Sequence, residues 1–302
     1  MNKRWLVCIW LLGCFSLSKG QRYVNNVFSQ VIRSTQDYAV KDGDTLRMDI
    51  YIPRNDTVVD RPLLVWMHGG GFAGGRRDNG DEVKFMKSAA RKGFVAASIS
   101  YRLLRKDTKE KFGCDCPKSE KERVFKEAAY DFWDALYFLY EKSDLFGFDR
   151  QKIIIGGSSA GAEGALTAAY LRKWLFEEGS KFDSIRIKAL ISLAGAVMDS
   201  RYITDQNAVP AILFHGTDDN LVPYGTAPHH YCKEGTKGYI WLDGSHTIAA
   251  KLEELDASFL FYTFKGAKHE KANIPFDYQP LIFSFLNEVV VENRNRQLRV
   301  VE

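Results

Sequence analysis

Short apolar runs recur along the chain at intervals that leave room for a helix between them. "LRMDIYI" (Leu46 to Ile52) alternates apolar and polar positions and predicts an antiparallel edge strand. "PLLVWM" (Pro62 to Met67), "FVAASIS" (Phe94 to Ser100), "KIIIG" (Lys152 to Gly156), "IKALISLA" (Ile187 to Ala194), "AILFH" (Ala211 to His215) and "SFLFYTF" (Ser258 to Phe264) are nearly continuous in their hydrophobicity. Runs of that kind suit parallel strands buried on both faces. Helical patterns fall between them, at Glu82–Lys92, Glu122–Leu145, Ala160–Glu177, Thr247–Leu255 and Gln279–Val291. The expectation is an α/β fold: a mostly parallel sheet of about eight strands with helices on both faces. Residues 21–302 read as a single domain, since no repeat or low-complexity linker divides them.

The first twenty residues break the pattern. Lys3 and Arg4 precede an apolar stretch from Trp5 to Leu17, and small residues follow at Ser18 and Gly20. This is the pattern of a signal peptide over residues 1–20, cleaved before Gln21, and it predicts an exported protein. The apolar stretch is shorter than the roughly 20 residues that span a bilayer. "LLGC" (Leu11 to Cys14) also fits a bacterial lipoprotein box, which would anchor the chain through Cys14.

Charge then changes its meaning. The chain of 302 residues carries 42 basic and 38 acidic residues and is 45% hydrophobic. The leader holds Lys3, Arg4 and Lys19 and no acid, so its removal leaves the remainder close to neutral. Nothing there argues for nucleic acid or an anionic surface as a partner. Three cysteines remain beyond the leader: Cys114, Cys116 and Cys232. Export favours a disulfide between Cys232 and one of the other two, since the members of C-x-C are too close for an easy bond. Zinc ligation by Cys114 and Cys116 lacks partners at suitable spacing. Two stretches, Lys106–Arg123 and Asn220–His246, read as loops at the carboxyl ends of strands, where binding walls are built.

The chemistry concentrates at strand ends. Gly157-Ser158-Ser159-Ala160-Gly161 fits G-x-S-x-G between "IIIG" and an alanine-rich helix. At such a junction small residues two before and two after the serine let strand and helix approach while its hydroxyl stays exposed. Ser158 lacks glycines at both flanking positions, so Ser159 is the candidate nucleophile. "WMHGGGF" (Trp66 to Phe72) ends another buried strand. Acyl transfer needs fixed N–H groups where negative charge develops, and Gly70, Gly71 and Ala160 are the candidate donors of an oxyanion hole. His68 reads as structural. A serine nucleophile needs a base, and the base an orienting acid. "LFHGTDDNLVP" offers Asp218 and Asp219 after the next-to-last strand, and "YTFKGAKHE" offers His269 after the last. His215 reads as a strand-end residue satisfied locally, and His229, His230 and His246 as surface or pocket-wall residues. Phe72, Tyr224, Tyr231 and Trp241 are assigned to packing or surface before pocket lining.

Taken in order, "HGGGF", "SYRL", "GGSSAG", "HGTDDNLVP" and "GAKHE" resemble the α/β-hydrolase superfamily, in its carboxylesterase and hormone-sensitive-lipase-like branch. The resemblance covers roughly residues 35 to 290. It implies Ser159 as nucleophile, His269 as general base and Asp219, rather than Asp218, as the acid, with no metal or cofactor. Ser158 stands where that branch often has an acidic residue, residues 21–67 are too few for a substantial N-terminal cap, and the 220–246 loop is longer than usual. The resemblance further implies an exported bacterial esterase acting on a small-molecule or carbohydrate ester, short-chain, acetyl or feruloyl. A prolyl-oligopeptidase-type peptidase and a non-catalytic binding module are the rival expectations, and the sequence does not define the oligomeric state.

Overall fold

The computed structural model describes residues 21–177 and 179–302. The expected signal peptide and lipoprotein box at Cys14 fall outside the described residues. The chain runs β1 (Val31–Lys41), β2 (Asp44–Pro53), β3 (Arg61–Met67), α1 (Gly80–Arg91), β4 (Val95–Ile99), α2 (Lys118–Glu141), α3 (Ser143–Phe146), β5 (Phe148–Ser158), α4 (Ala160–Tyr170) and α5 (Arg172–Leu175). It continues through β6 (Ile187–Leu193), β7 (Ala196–Val197), β8 (Ala211–Gly216), β9 (Thr226–Pro228), β10 (Trp241–Gly244), α6 (Ser245–Glu254), β11 (Phe259–Phe264), α7 (Gln279–Leu286) and β12 (Gln297–Val301).

Nine strands form one sheet in the order β1-β2-β4-β3-β5-β6-β8-β11-β12. β1 pairs antiparallel with β2 and β2 antiparallel with β4; every other pair is parallel. This is the α/β-hydrolase arrangement. Alternation along each strand sorts side chains to two faces. Ile153 and Ile155 join Val65 and Met67 in a core covered by α2, α4 and α6, whereas Ile154, Leu64 and Trp66 pack with α1 and α7. Burial of each such aliphatic side chain contributes roughly 2 kcal/mol, which is why these strands read as unbroken apolar runs.

The structure differs from the sequence expectation in places. "LRMDIYI" is not an edge: β1, largely polar and half-exposed, lies outside it. β11 is not the last strand either, because β12 follows α7 and pairs parallel with it. The helix expected over Ala160–Glu177 ends at Tyr170, and a separate short helix, α5, follows Leu171. The charged loop expected to reach Arg123 ends at Pro117, where α2 begins. The long 220–246 segment contains β9 and β10, which join β7 in a small second sheet. Instead of a helical cap, two irregular segments stand over the carboxyl ends of the strands. A disulfide between Cys114 and Cys232 ties one to the other, and Cys116 is a buried free thiol.

Candidate active site

Three strand ends converge here. β5 passes directly into α4, and Ser159 occupies the junction with φ 50° and ψ −122°. A non-glycine residue rarely adopts that conformation, and it persists only where the surroundings enforce it. They do so by close approach: a Cβ on Gly157 would overlap the backbone of Gly161, and one on Gly161 would overlap the Met67 carbonyl. The two flanking glycines are thus required by packing. The Ser159 amide donates to the Leu193 carbonyl (2.8 Å), which fixes the turn to the neighbouring strand.

The hydroxyl of Ser159 donates to Nε2 of His269 (2.7 Å), and Nδ1 of His269 donates to Oδ2 of Asp219 (2.7 Å). His269 follows β11 and Asp219 follows β8, its neighbour in the sheet. Oδ1 of Asp219 accepts the amides of Leu221 (2.9 Å) and Val222 (3.0 Å). Burial would push this carboxyl up, but hydrogen bonds from His215 and His269 outweigh it and hold the carboxyl well below the usual range. Asp218 points away, exposed, with the Thr217 hydroxyl as its donor (2.9 Å).

His215 is satisfied locally, as expected, yet its bonds reach the site. Its Nε2 lies 3.2 Å from both the Val222 carbonyl and Oδ2 of Asp219. Both are acceptors, so Nε2 carries the proton and Nδ1 accepts from the Ser245 hydroxyl (2.8 Å). The sequence reading missed this second contact to the acid; the spacing His215 to Asp219 was its only local trace.

Gly70 has φ 120° and Gly71 φ 60°, conformations that favour glycine. The amides of Gly70 and Gly71 have no hydrogen-bond acceptor among the described residues, and that of Ala160 is a free first-turn N–H of α4. His68 is buried, donates from Nδ1 to the Gly69 carbonyl (2.7 Å) and stacks near Tyr101, a structural position. Gly70, Gly71, Ser159, Ala160 and His269 border a cleft of about 1020 Å³. Two buried groups that the sequence reading did not place there also line it: Glu163 and Arg105. His229 and His230 form part of its wall, whereas Tyr224, Tyr231 and Trp241 do not, and Phe72 packs in the core against Phe112 and Phe125. A depression of similar size beside Trp133 and Arg172 contains no serine, cysteine or histidine.

This arrangement is equipped for acyl transfer: a half-buried hydroxyl on the cleft wall, a base in contact with it, a carboxylate bonded to that base, and unpaired amides nearby. The comparisons with known proteins agree with the fold. An "AB hydrolase superfamily protein" of Schizosaccharomyces pombe is 30% identical over 102 residues, 33% of this chain and 24% of that protein. A probable isoprenylcysteine α-carbonyl methylesterase of Arabidopsis thaliana is 21% identical over 314 residues, 88% of this chain and 57% of its own length. The chain therefore spans between about a quarter and somewhat over half the length of these relatives. Esterase 2 of Thermogutta terrifontis with butyrate bound superposes with a TM-score of 0.62 at 21% identity, covering 85% of this chain and 94% of that one. The BD-FAE family model matches residues 48–200, about half of the sequence. The chain belongs to the BD-FAE family of α/β-hydrolases.

Proposed function

We propose that the protein is a serine carboxylic-ester hydrolase in which Ser159, His269 and Asp219 act as the catalytic triad. The observation that carries this reading is the continuous relay from Ser159 Oγ through His269 to Asp219, with both links at 2.7 Å. Ser159 attacks the ester carbonyl as His269 Nε2 takes its proton, and Asp219 holds the imidazole with its proton on Nδ1. The oxyanion forms against the amides of Gly70, Gly71 and Ala160. His269 then protonates the departing alcohol, leaving an acyl-enzyme on Ser159. Water attacks that ester with the same base, and the acid product leaves. Each oxyanion donor of this kind typically contributes roughly 3 kcal/mol to barrier lowering.

The substrate we infer is a short-chain or carbohydrate-linked ester, acetyl or feruloyl. The butyrate complex of the Thermogutta esterase and the methylesterase name of the Arabidopsis relative support small leaving or acyl groups. The charged, disulfide-tied loops over the cleft offer no broad apolar lid for a long lipid chain. The apolar leader and the Cys114–Cys232 bond both support export, with residues 21–302 acting as one domain.

The test is a panel on the purified protein, from p-nitrophenyl acetate to palmitate, with acetylated xylan and methyl ferulate beside them. Activity that falls steeply beyond butyrate and includes a carbohydrate ester agrees with the reading. Turnover of peptides in place of every ester contradicts it.

A further inference from the structure

Glu163 lies one helical turn beyond Ser159 in α4, 2% exposed, on the wall of the reaction cleft. Buried carboxyl groups in folded proteins are almost always hydrogen-bonded. Glu163 is not: its side chain accepts no hydrogen bond among the described residues, and Oε1 is fully buried without a partner. Opposite it stands His229, 1% exposed, with Nε2 at 3.4 Å from Oε1 of Glu163 and Nδ1 also unpartnered. Two polar side chains that face each other at the same cleft, both nearly inaccessible and both with unused hydrogen-bonding capacity, are costly unless something else binds them.

Their protonation fits a neutral pair. Burial pushes the Glu163 carboxyl up to about 8, and burial with the nearby Lys121 charge holds His229 well below its ordinary value. A neutral carboxyl both donates and accepts, as does a neutral imidazole through its two nitrogens. A hydroxyl group, itself donor and acceptor, complements both.

The wall is also held in place. His229 precedes Cys232 by three residues, and Phe112 precedes Cys114 by two. The disulfide between those cysteines joins the two loops, and the Phe112 ring meets His229 edge-on at 5.4 Å. Phe125 from α2 backs the same imidazole at 6.0 Å, and the His229 amide donates to the Ile240 carbonyl (2.8 Å). His229 is therefore fixed by a covalent tie, two aromatic rings and a backbone bond before any ligand arrives.

We infer that Glu163 and His229 form a substrate-binding subsite that hydrogen-bonds a hydroxyl borne by the ester near its scissile bond. This rests on the esterase reading above and adds to it the residues that would select a hydroxylated substrate. A purely apolar ester would leave both groups unpaired, and sites of that kind discriminate strongly against analogues that lack the polar group.

The experiment uses matched pairs: methyl mandelate against methyl phenylacetate, and an acetylated methyl glucoside against cyclohexyl acetate. The ratio of kcat/KM within a pair is measured for the wild type, Glu163→Gln, Glu163→Leu and His229→Phe. The subsite predicts that the wild type prefers the hydroxylated member of at least one pair. Glu163→Leu and His229→Phe then lower that ratio tenfold or more, while Glu163→Gln, neutral and of the same shape, keeps most of it. Ratios that are near one in the wild type, or that no variant changes, overturn the subsite while leaving the esterase reading intact. Binding of the same pairs to Ser159→Ala and to Ser159→Ala/Glu163→Gln and Ser159→Ala/Glu163→Leu by calorimetry needs no turnover. Preferential binding of the hydroxylated member that only the leucine variant loses supports the subsite even if the esterase reading fails; equal binding of both members overturns it.

Discussion

Nε2 of His215 lies 3.2 Å from Oδ2 of Asp219, the same oxygen that accepts the proton-bearing nitrogen of His269. The acid of the relay is thus gripped by two imidazoles and two backbone amides, and its position does not depend on His269 alone. Replacement of His215 by Phe should lower kcat about tenfold or more with little change in KM, because the acid is displaced and substrate contacts are not. His215→Gln, which retains a donor, should recover much of that loss. Steady-state kinetics on p-nitrophenyl acetate decide it; an increase in KM alone would make His215 a pocket residue.

The choice between neighbouring aspartates gives a second prediction. Asp219→Asn should lose several orders of magnitude in kcat, as expected when an orienting acid can no longer fix the tautomer of its histidine. Asp218→Asn, at an exposed position bonded by Thr217, should stay within about threefold of the wild type. Stability should follow the same division. The Asp219 carboxyl titrates below its ordinary value of about 3.9. Its ionised form therefore stabilises the fold above that pH, and the contribution is lost as pH falls through and below it. Chemical denaturation from pH 5 to pH 2 should show the wild type losing its margin over Asp219→Asn.

Glu163 predicts the opposite slope. Its folded carboxyl titrates at about 8, against about 4.3 in an unfolded chain. Between those values the folded state holds the extra proton, so stability falls as pH rises and levels off above 8. Lys121, His269, His215 and Asp219 act on it through their charges and His229 faces it at 3.4 Å, and comparison with Glu163→Gln cancels their shared contributions. The stability of Glu163→Gln relative to wild type should rise steadily from pH 5 to pH 8. A difference independent of pH would mean that Glu163 is ionised in the fold.

The disulfide closes a separation of 118 residues. Its loss through Cys114→Ser should cost about 2–5 kcal/mol in denaturation. Because both loops it joins contribute cleft residues, KM for any ester should rise more than kcat falls. Cys116→Ser, which removes a free thiol and no crosslink, should leave KM near the wild-type value.

What the sequence made legible was local. Ser159 could be read from its own five residues because the steric demand of the turn is satisfied by Gly157 and Gly161 themselves. The parallel strands were readable because both faces of each are largely buried, so few polar positions interrupt them. β1 was harder, since an exposed outer strand with polar side chains carries no apolar signature, and its absence made β2 look like the edge. β12 is five residues long and follows a polar connection, so its pairing with β11 rests on tertiary contact. Asp219 could be told from Asp218 only by resemblance; the two differ in which way the loop after β8 turns. Glu163 left no signal at all. A glutamate in the first turn of a helix ordinarily faces water, and the tertiary packing that covers α4, α2 included, buries it.

Nucleophilic attack by Ser159 is tested most directly by ester hydrolysis with Ser159→Ala beside the wild type, with circular dichroism confirming equal folding. The expected fall in kcat is roughly 10⁴-fold to 10⁶-fold, the scale seen when a serine hydrolase loses its nucleophile. A folded Ser159→Ala protein that keeps wild-type turnover within tenfold would contradict it.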